Sequence, residues 1–313
     1  MQTNDPHNVT PITQRLFGEP TKAKASGLAY SLAAILPAFL SVALMGAFSS
    51  FGLLAEGYQT QDWFLYVNYL LPQICFALVA LFFLRYTKTP VKAALKAQKC
   101  PMKYVGIALL LQVGLFSLSE LNALFLTFLE HFGYTPQEIA LPNVDGFGFV
   151  GVLLTVALLP AVMEEIFFRG ALLEGLKSQG ETAAALICGA LFSLYHQNPP
   201  QTVYQFCCGA AFALVAIRSG SVLPTVAAHF LNNAVILTLY KFGVTGFPTP
   251  VFIVYMAVSV ACLLAAVWLL WRDKNRADQT QKPVGELKRF FLFAALGVAV
   301  CALTWLLMLF TGI

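Results

Sequence analysis

Glu164-Glu165-Ile166-Phe167-Phe168-Arg169 places three ionisable side chains inside an apolar run from Gly148 to Leu173. A charge at the centre of a membrane-spanning helix costs about 2.5–3.5 kcal/mol on insertion scales, so charges there usually mark function. Glu165 and Arg169 are four residues apart with the acid first, the favourable order for an ion pair on one helix face. Glu164 is turned about 100° away from Glu165. That spacing leaves its carboxyl unmatched to Arg169 and able to act as a general base or acid. The bland alternative, a helix–helix ion network without chemistry, explains the pair but not the extra carboxyl.

Further along, His196 closes Phe192-Ser193-Leu194-Tyr195-His196, and His229-Phe230-Leu231-Asn232-Asn233 sets His229 and Asn233 four apart. If the chain turns near Gly180, Glu164 and His196 stand equally far from the turn and come to nearly the same depth. His229 and Asn233 share one helix face and form a candidate N–H pair for a developing oxyanion. Asn232 points elsewhere and reads as structural. This set suits attack of activated water on a carbonyl, with Glu164 and His196 deprotonating water and His229 and Asn233 receiving the oxyanion. The same atoms offer a second chemistry, a zinc ion held by Glu164, His196 and His229 with water as the fourth ligand. No H-E-x-x-H occurs. Ser193 lies three residues before His196, but without G-x-S-x-G a serine mechanism is the weaker reading.

The elements that must hold these residues are membrane helices. Hydrophobic residues make up 58% of the 313 and charged residues 11%, with mean hydropathy +0.73. Soluble domains carry about 25% charged residues, so the composition specifies an all-α, polytopic membrane protein. Stretches long enough to span, at about 20 residues each, are Leu28–Ala55, Trp63–Leu84, Tyr104–Leu129, Phe147–Leu173, Val222–Tyr240, Val251–Trp271 and Phe290–Phe310. Thr182–Gln197 and Thr202–Ile217 are shorter. Eight or nine transmembrane helices around an intramembrane active-site core are expected. Residues 1–26 read as a flexible tail, 27–313 as one transmembrane domain, and 147–240 as its catalytic core. No internal repeat stands out.

Basic side chains cluster in 85–103 and 272–289, whereas the 56–62 and 130–147 loops are acidic. The positive-inside rule puts the basic loops and the N-terminus in the cytoplasm. A bacterial cell would hold the chain in its inner (plasma) membrane. The basic 85–103 stretch also reads as a short surface helix anchored at the headgroups. The net charge of +4 then reports topology and contact with membrane lipids rather than nucleic acid. Seven cysteines without a C-x-x-C behave as small hydrophobes. Gln112, Glu120 and Asn122 read as packing groups in the third span, with an access path as the alternative.

The three patterns resemble the motifs of the CPBP family, the CAAX-protease and bacteriocin-processing or Abi family. Its E-E-x-x-x-R stands as Glu164, Glu165 and Arg169, its F-x-x-x-H as Phe192 and His196, and its H-x-x-x-N as His229 and Asn233. All three occur in family order over 164–233. The resemblance implies an α-helical intramembrane peptidase, opening toward the cytoplasm, that cuts membrane-associated proteins or peptides, prenylated or not. It implies Glu164 and His196 as water-activating residues, His229 and Asn233 as the oxyanion hole, and Glu165 with Arg169 as a supporting pair. The family has been called a metalloprotease, yet the motifs support a metal-free glutamate mechanism; no cofactor is favoured, with zinc the alternative. A non-catalytic immunity or scaffold protein of the same shape, and a transporter using the buried charges as a proton relay, are the competing readings.

Overall fold

In the computed structural model, residues 21–90, 100–136, 140–275 and 285–311 are described. Ten helices account for them: α1 (Lys22–Ser50), α2 (Asp62–Thr87), α3 (Met102–Leu115), α4 (Ser119–His131), α5 (Gly148–Leu172), α6 (Glu181–Tyr195), α7 (Thr202–Ser219), α8 (Leu223–Lys241), α9 (Thr249–Arg272) and α10 (Glu286–Thr311). α3 and α4 form one rod, Met102–His131, joined by a 3₁₀ turn at Phe116–Leu118. The described residues contain no strand, and eight helical rods are long and apolar enough to cross a membrane; α6 is the shorter ninth. Backbone polar groups have no water to bond in lipid, so helices that satisfy them internally are the expected solution. The protein is an all-α polytopic membrane protein.

One expected boundary moves. The N-terminal tail does not extend to residue 26, because α1 begins at Lys22. Thr21 caps it by accepting from the Lys24 N–H at 3.3 Å, Ala23 and Ala25 are buried, and Lys22 pairs with Glu174 at 3.0 Å. Hydropathy sees where lipid begins; this helix starts earlier because protein covers its first turn. The rest of that tail (1–20), most of the proposed surface helix (91–99), Glu138 and the middle of the basic 272–289 connection lie outside the described residues.

α1 and α10 run side by side and parallel. A Cβ on Gly27 would fall on the Phe290 carbonyl oxygen, and one on Gly297 on the Ser31 backbone. Ser31 Oγ donates to Phe293 O at 2.7 Å and accepts from the Gly297 N–H at 3.0 Å. Small residues let two backbones approach where lipid supplies no hydrophobic drive between helices. α1 also grips the centre: Ser26 Oγ donates to Ala171 O at 2.7 Å, and Tyr30 Oη to Leu191 O at 3.1 Å. Below that contact lies the main core, where Phe76, Phe167, Phe168 and Phe192 are all buried. Ring centroids there stand 4.8 to 5.9 Å apart, mostly edge to face, as aromatic quadrupoles prefer. Large apolar side chains at the periphery, among them Leu81, Val258, Leu264 and Leu292, stay exposed where lipid would solvate them.

Candidate active site

α5 carries the first cluster and is not a uniform helix. Leu153–Leu158 and Ile166–Leu172 are π-helical, on either side of an α-helical stretch, Leu159–Glu165, that opens with Pro160. Proline has no N–H, so Pro160 cannot serve the Val156 carbonyl one turn earlier. Asn233 Nδ2 donates to that carbonyl instead, at 3.5 Å. The wider π turns that follow place Arg169 back toward Glu165, and such insertions are frequent at functional sites.

Glu165 and Arg169 form a fully buried ion pair, Nη1 to Oε1 at 2.9 Å. Arg169 Nη2 also donates to Gly209 O at 3.2 Å, and its guanidinium lies 4.5 Å from the Phe192 ring centroid. α6 and α7 must approach closely for this. A Cβ on Gly209 would stand 2.8 Å from Gly189 Cα, and one on Gly189 would meet the Ala210 backbone N at 2.6 Å. The planar, delocalised guanidinium suits such a slot between ring faces and a carbonyl.

The same Glu165 oxygen accepts from His229 Nδ1 at 3.0 Å. A carboxylate held by Arg169 can only accept, so Nδ1 carries the proton and Nε2 points onward. It points at Glu164: Oε2 is 4.0 Å away, buried, and has no hydrogen-bond partner among the described residues. The neighbouring carboxyls therefore differ sharply. Each keeps a buried, unpartnered Oε2, but Glu165 Oε1 is locked by Arg169 and His229, whereas Glu164 has no guanidinium partner among the described residues and sets its Oε2 4.0 Å from the imidazole.

His196 follows the last residue of α6 and caps it. Its Nδ1 donates to Phe192 O at 2.8 Å, a carbonyl that can only accept, which leaves Nε2 with its lone pair outward. Glu164 and His229 are both within electrostatic reach of this ring. Gln197 next to it takes the left-handed conformation, φ 52°, and turns the chain toward Pro199 and Pro200. At the other end of α6, Gly180 at φ 86° makes the turn out of α5, where the symmetry argument had placed it. Phe192 stands at the centre of the site, with ring centroids 4.7 Å from His196 and 6.0 Å from His229.

The structure thus brings Glu164, Glu165, Arg169, His196 and His229 together and sets Asn233 one turn beyond His229, facing α5. Sequence reasoning missed the Glu165–His229 bond, the stacking role of Phe192 and the Pro160–Val156–Asn233 link. It also missed Arg218, which pairs with Glu181 across the α6–α7 hairpin. Those two are 37 residues apart and centred on Pro199–Pro200, so the equal-distance argument applied to Gly180 would have found them. Gln112 and Asn122 do pack, donating to Tyr204 and Asn232 and accepting from the Tyr204 N–H respectively, whereas Glu120 is exposed.

Among the described residues, no group of three or more His, Cys, Asp or Glu side chains is disposed to hold a metal ion. His229 Nδ1 is already committed to Glu165. No disulfide joins the seven cysteines among the described residues. A groove of about 700 Å³, lined by Tyr204, Gln205, Leu231, Val235 and Tyr255 among others, includes none of the motif residues.

Residues 146–235 match the family model described as Rce1-like, type II CAAX prenyl endopeptidase Rce1-like. That segment runs from the start of α5 into α8 and contains every residue of the three motifs, in keeping with the CPBP resemblance. The match supports a protease function of the type II CAAX endopeptidase kind. Neither the comparison with curated proteins nor that with solved structures gives a match.

Proposed function

We propose that the chain is an intramembrane endopeptidase that hydrolyses a peptide bond of a membrane-associated, lipid-modified protein or peptide, with Glu164 as its base. The observation that carries this reading is the contrast between the two adjacent carboxyls. Glu165 Oε1 is held by both Arg169 and His229, although its Oε2 is unpaired, whereas Glu164 has no guanidinium partner among the described residues and its buried, unpaired Oε2 lies 4.0 Å from His229 Nε2. An unpaired buried acceptor costs about 1–3 kcal/mol and more when charged, so the carboxyl that no guanidinium neutralises is the better proton acceptor of the two.

In the proposed reaction, Glu164 removes a proton from a water that His196 Nε2 helps to hold. The hydroxide oxygen bonds to the carbonyl carbon, and the carbonyl electrons move onto oxygen. Asn233 Nδ2–H and His229 Nε2–H receive that oxyanion; because Nδ1–H is already given to Glu165, His229 serves in its doubly protonated form. Collapse breaks the C–N bond, and Glu164 returns its proton to the leaving amine. Donors fixed in advance inside a low-dielectric site need no reorganisation as charge develops, which is why such groups are effective.

The test is Glu164→Gln, which keeps size and removes the base. Cleavage of a farnesylated CAAX peptide bearing a fluorophore and quencher across the scissile bond is expected to be abolished. Folded yield in detergent is expected to be unchanged. Undiminished cleavage by this variant would sink the assignment. Comparing peptides released from membranes with wild-type and Glu164→Gln protein would then identify the native substrate.

A further inference from the structure

α3, α7 and α8 meet at a buried hydrogen-bonded set that ends on Asn233. Gln112 is fully buried, and its Nε2 donates to Tyr204 Oη at 3.0 Å and to Asn232 Oδ1 at 2.9 Å. Tyr204 Oη donates to the same Asn232 oxygen at 2.8 Å. Asn232 Nδ2 then donates to Asn233 Oδ1 at 3.0 Å.

The direction of this chain is set from its far end. The Val156 carbonyl, deprived of a helical N–H by Pro160, can only accept. The Asn233 atom facing it at 3.5 Å is therefore Nδ2, which turns Oδ1 toward Asn232. Asn232 must answer with its own N–H, and so presents its oxygen to Gln112 and Tyr204. Turning either carboxamide over would set oxygen against oxygen in a buried site. Neighbouring residues on a helix point about 100° apart, so the Asn232–Asn233 bond joins the α3–α7 side of α8 to its α5 side.

We propose that Gln112, Tyr204 and Asn232 are positioning residues that hold the Asn233 amide with its N–H toward the oxyanion. The proposal rests on the oxyanion role given to Asn233 above. It explains why Gln112, expected from sequence to be a packing group, and Asn232, expected to be structural, are linked donor to acceptor with Tyr204. Packing alone would need no such order.

Asn232→Asp is nearly isosteric and cannot donate to Asn233 Oδ1. With the farnesylated CAAX reporter, kcat should fall by about 100-fold, the size of losing one oxyanion donor, while KM stays within about twofold. Introduced into an Asn233→Ala background, Asn232→Asp should cost nothing further. Tyr204→Phe with Gln112→Leu, which removes both donors to Asn232 while keeping the site apolar and filled, should reproduce the kcat loss and carries the test if Asn232→Asp does not fold. Loss of cleavage in Asn233→Ala with unchanged kcat in folded Asn232→Asp or in the Tyr204–Gln112 double variant overturns the relay alone. Undiminished cleavage in Asn233→Ala overturns the oxyanion reading and the relay with it. Additive losses in the double-mutant cycle overturn the relay in favour of independent structural effects.

Discussion

At the scale of single residues, the site depends on how two adjacent carboxyls are separated. Helix rotation alone distinguishes Glu164 from Glu165, and the i, i+4 spacing that pairs Glu165 with Arg169 was readable from sequence. What spacing could not show is that Glu165 is shared. The same oxygen orients His229, so the pair is both a support for α5 and the fixed end of an imidazole. Arg169→Ala removes the guanidinium from between Glu165, the Gly209 carbonyl and the Phe192 ring. Breaking a buried pair by deleting one partner costs about 3–5 kcal/mol. Folded yield and thermal midpoint in detergent should both fall. Replacing both charges, Glu165→Gln with Arg169→Met, should restore much of the yield because no uncompensated charge is left. Peptidase activity should stay low, since His229 has lost the carboxylate that orients its imidazole. Yield as high as wild type in Arg169→Ala would refute the support role of the pair.

At the scale of elements, α5 shows how one proline shapes a site two turns away. A regular helix would close Val156 O with the N–H of residue 160; proline withholds it, the backbone widens, and Asn233 from α8 takes the carbonyl. Pro160 is plain in the sequence, but its partner is not, because the acceptor it releases is backbone and carries no sequence signal. Pro160→Ala should therefore separate stability from function. Restoring the N–H and a better helix former should leave the thermal midpoint equal or raised, as an interior proline disfavours a helix by about 3 kcal/mol. The restored N–H then competes with Asn233 for Val156 O, and kcat for the CAAX reporter should drop. A variant that is less stable yet fully active would show that Pro160 serves packing and not the placement of Asn233.

At the scale of the whole molecule, the positions of the spans were legible because lipid imposes their length and composition, whereas their neighbours were not. These helices are apolar nearly all round, so no stripe records which face meets which partner. The parallel clasp of α1 and α10 depends on Gly27, Ser31 and Gly297, residues that look like filler until two backbones meet. The far end of α9 is tied by another long-range set. Lys103 in the first turn of α3 donates to Asp273 Oδ1 at 3.0 Å, the Asn275 N–H donates to the same oxygen at 3.2 Å, and Arg218 donates to Leu270 O and accepts from Asn275 Nδ2. Burial pushes the Asp273 carboxyl up, but hydrogen bonds from Tyr104, Lys103 and the Asn275 N–H outweigh it and hold the group below the usual aspartate range. A carboxyl with a depressed folded pKa stabilises the protein above its unfolded value, near 3.9, and loses that contribution as pH falls through the folded value. Wild type should therefore unfold at a higher temperature than Asp273→Asn at pH 7. The gap should narrow below about pH 4 and close at lower pH, as read from thermal melts of both proteins in one detergent. A gap that stays constant across this range would mean that Asp273 holds α3 and α9 by shape alone, without its charge.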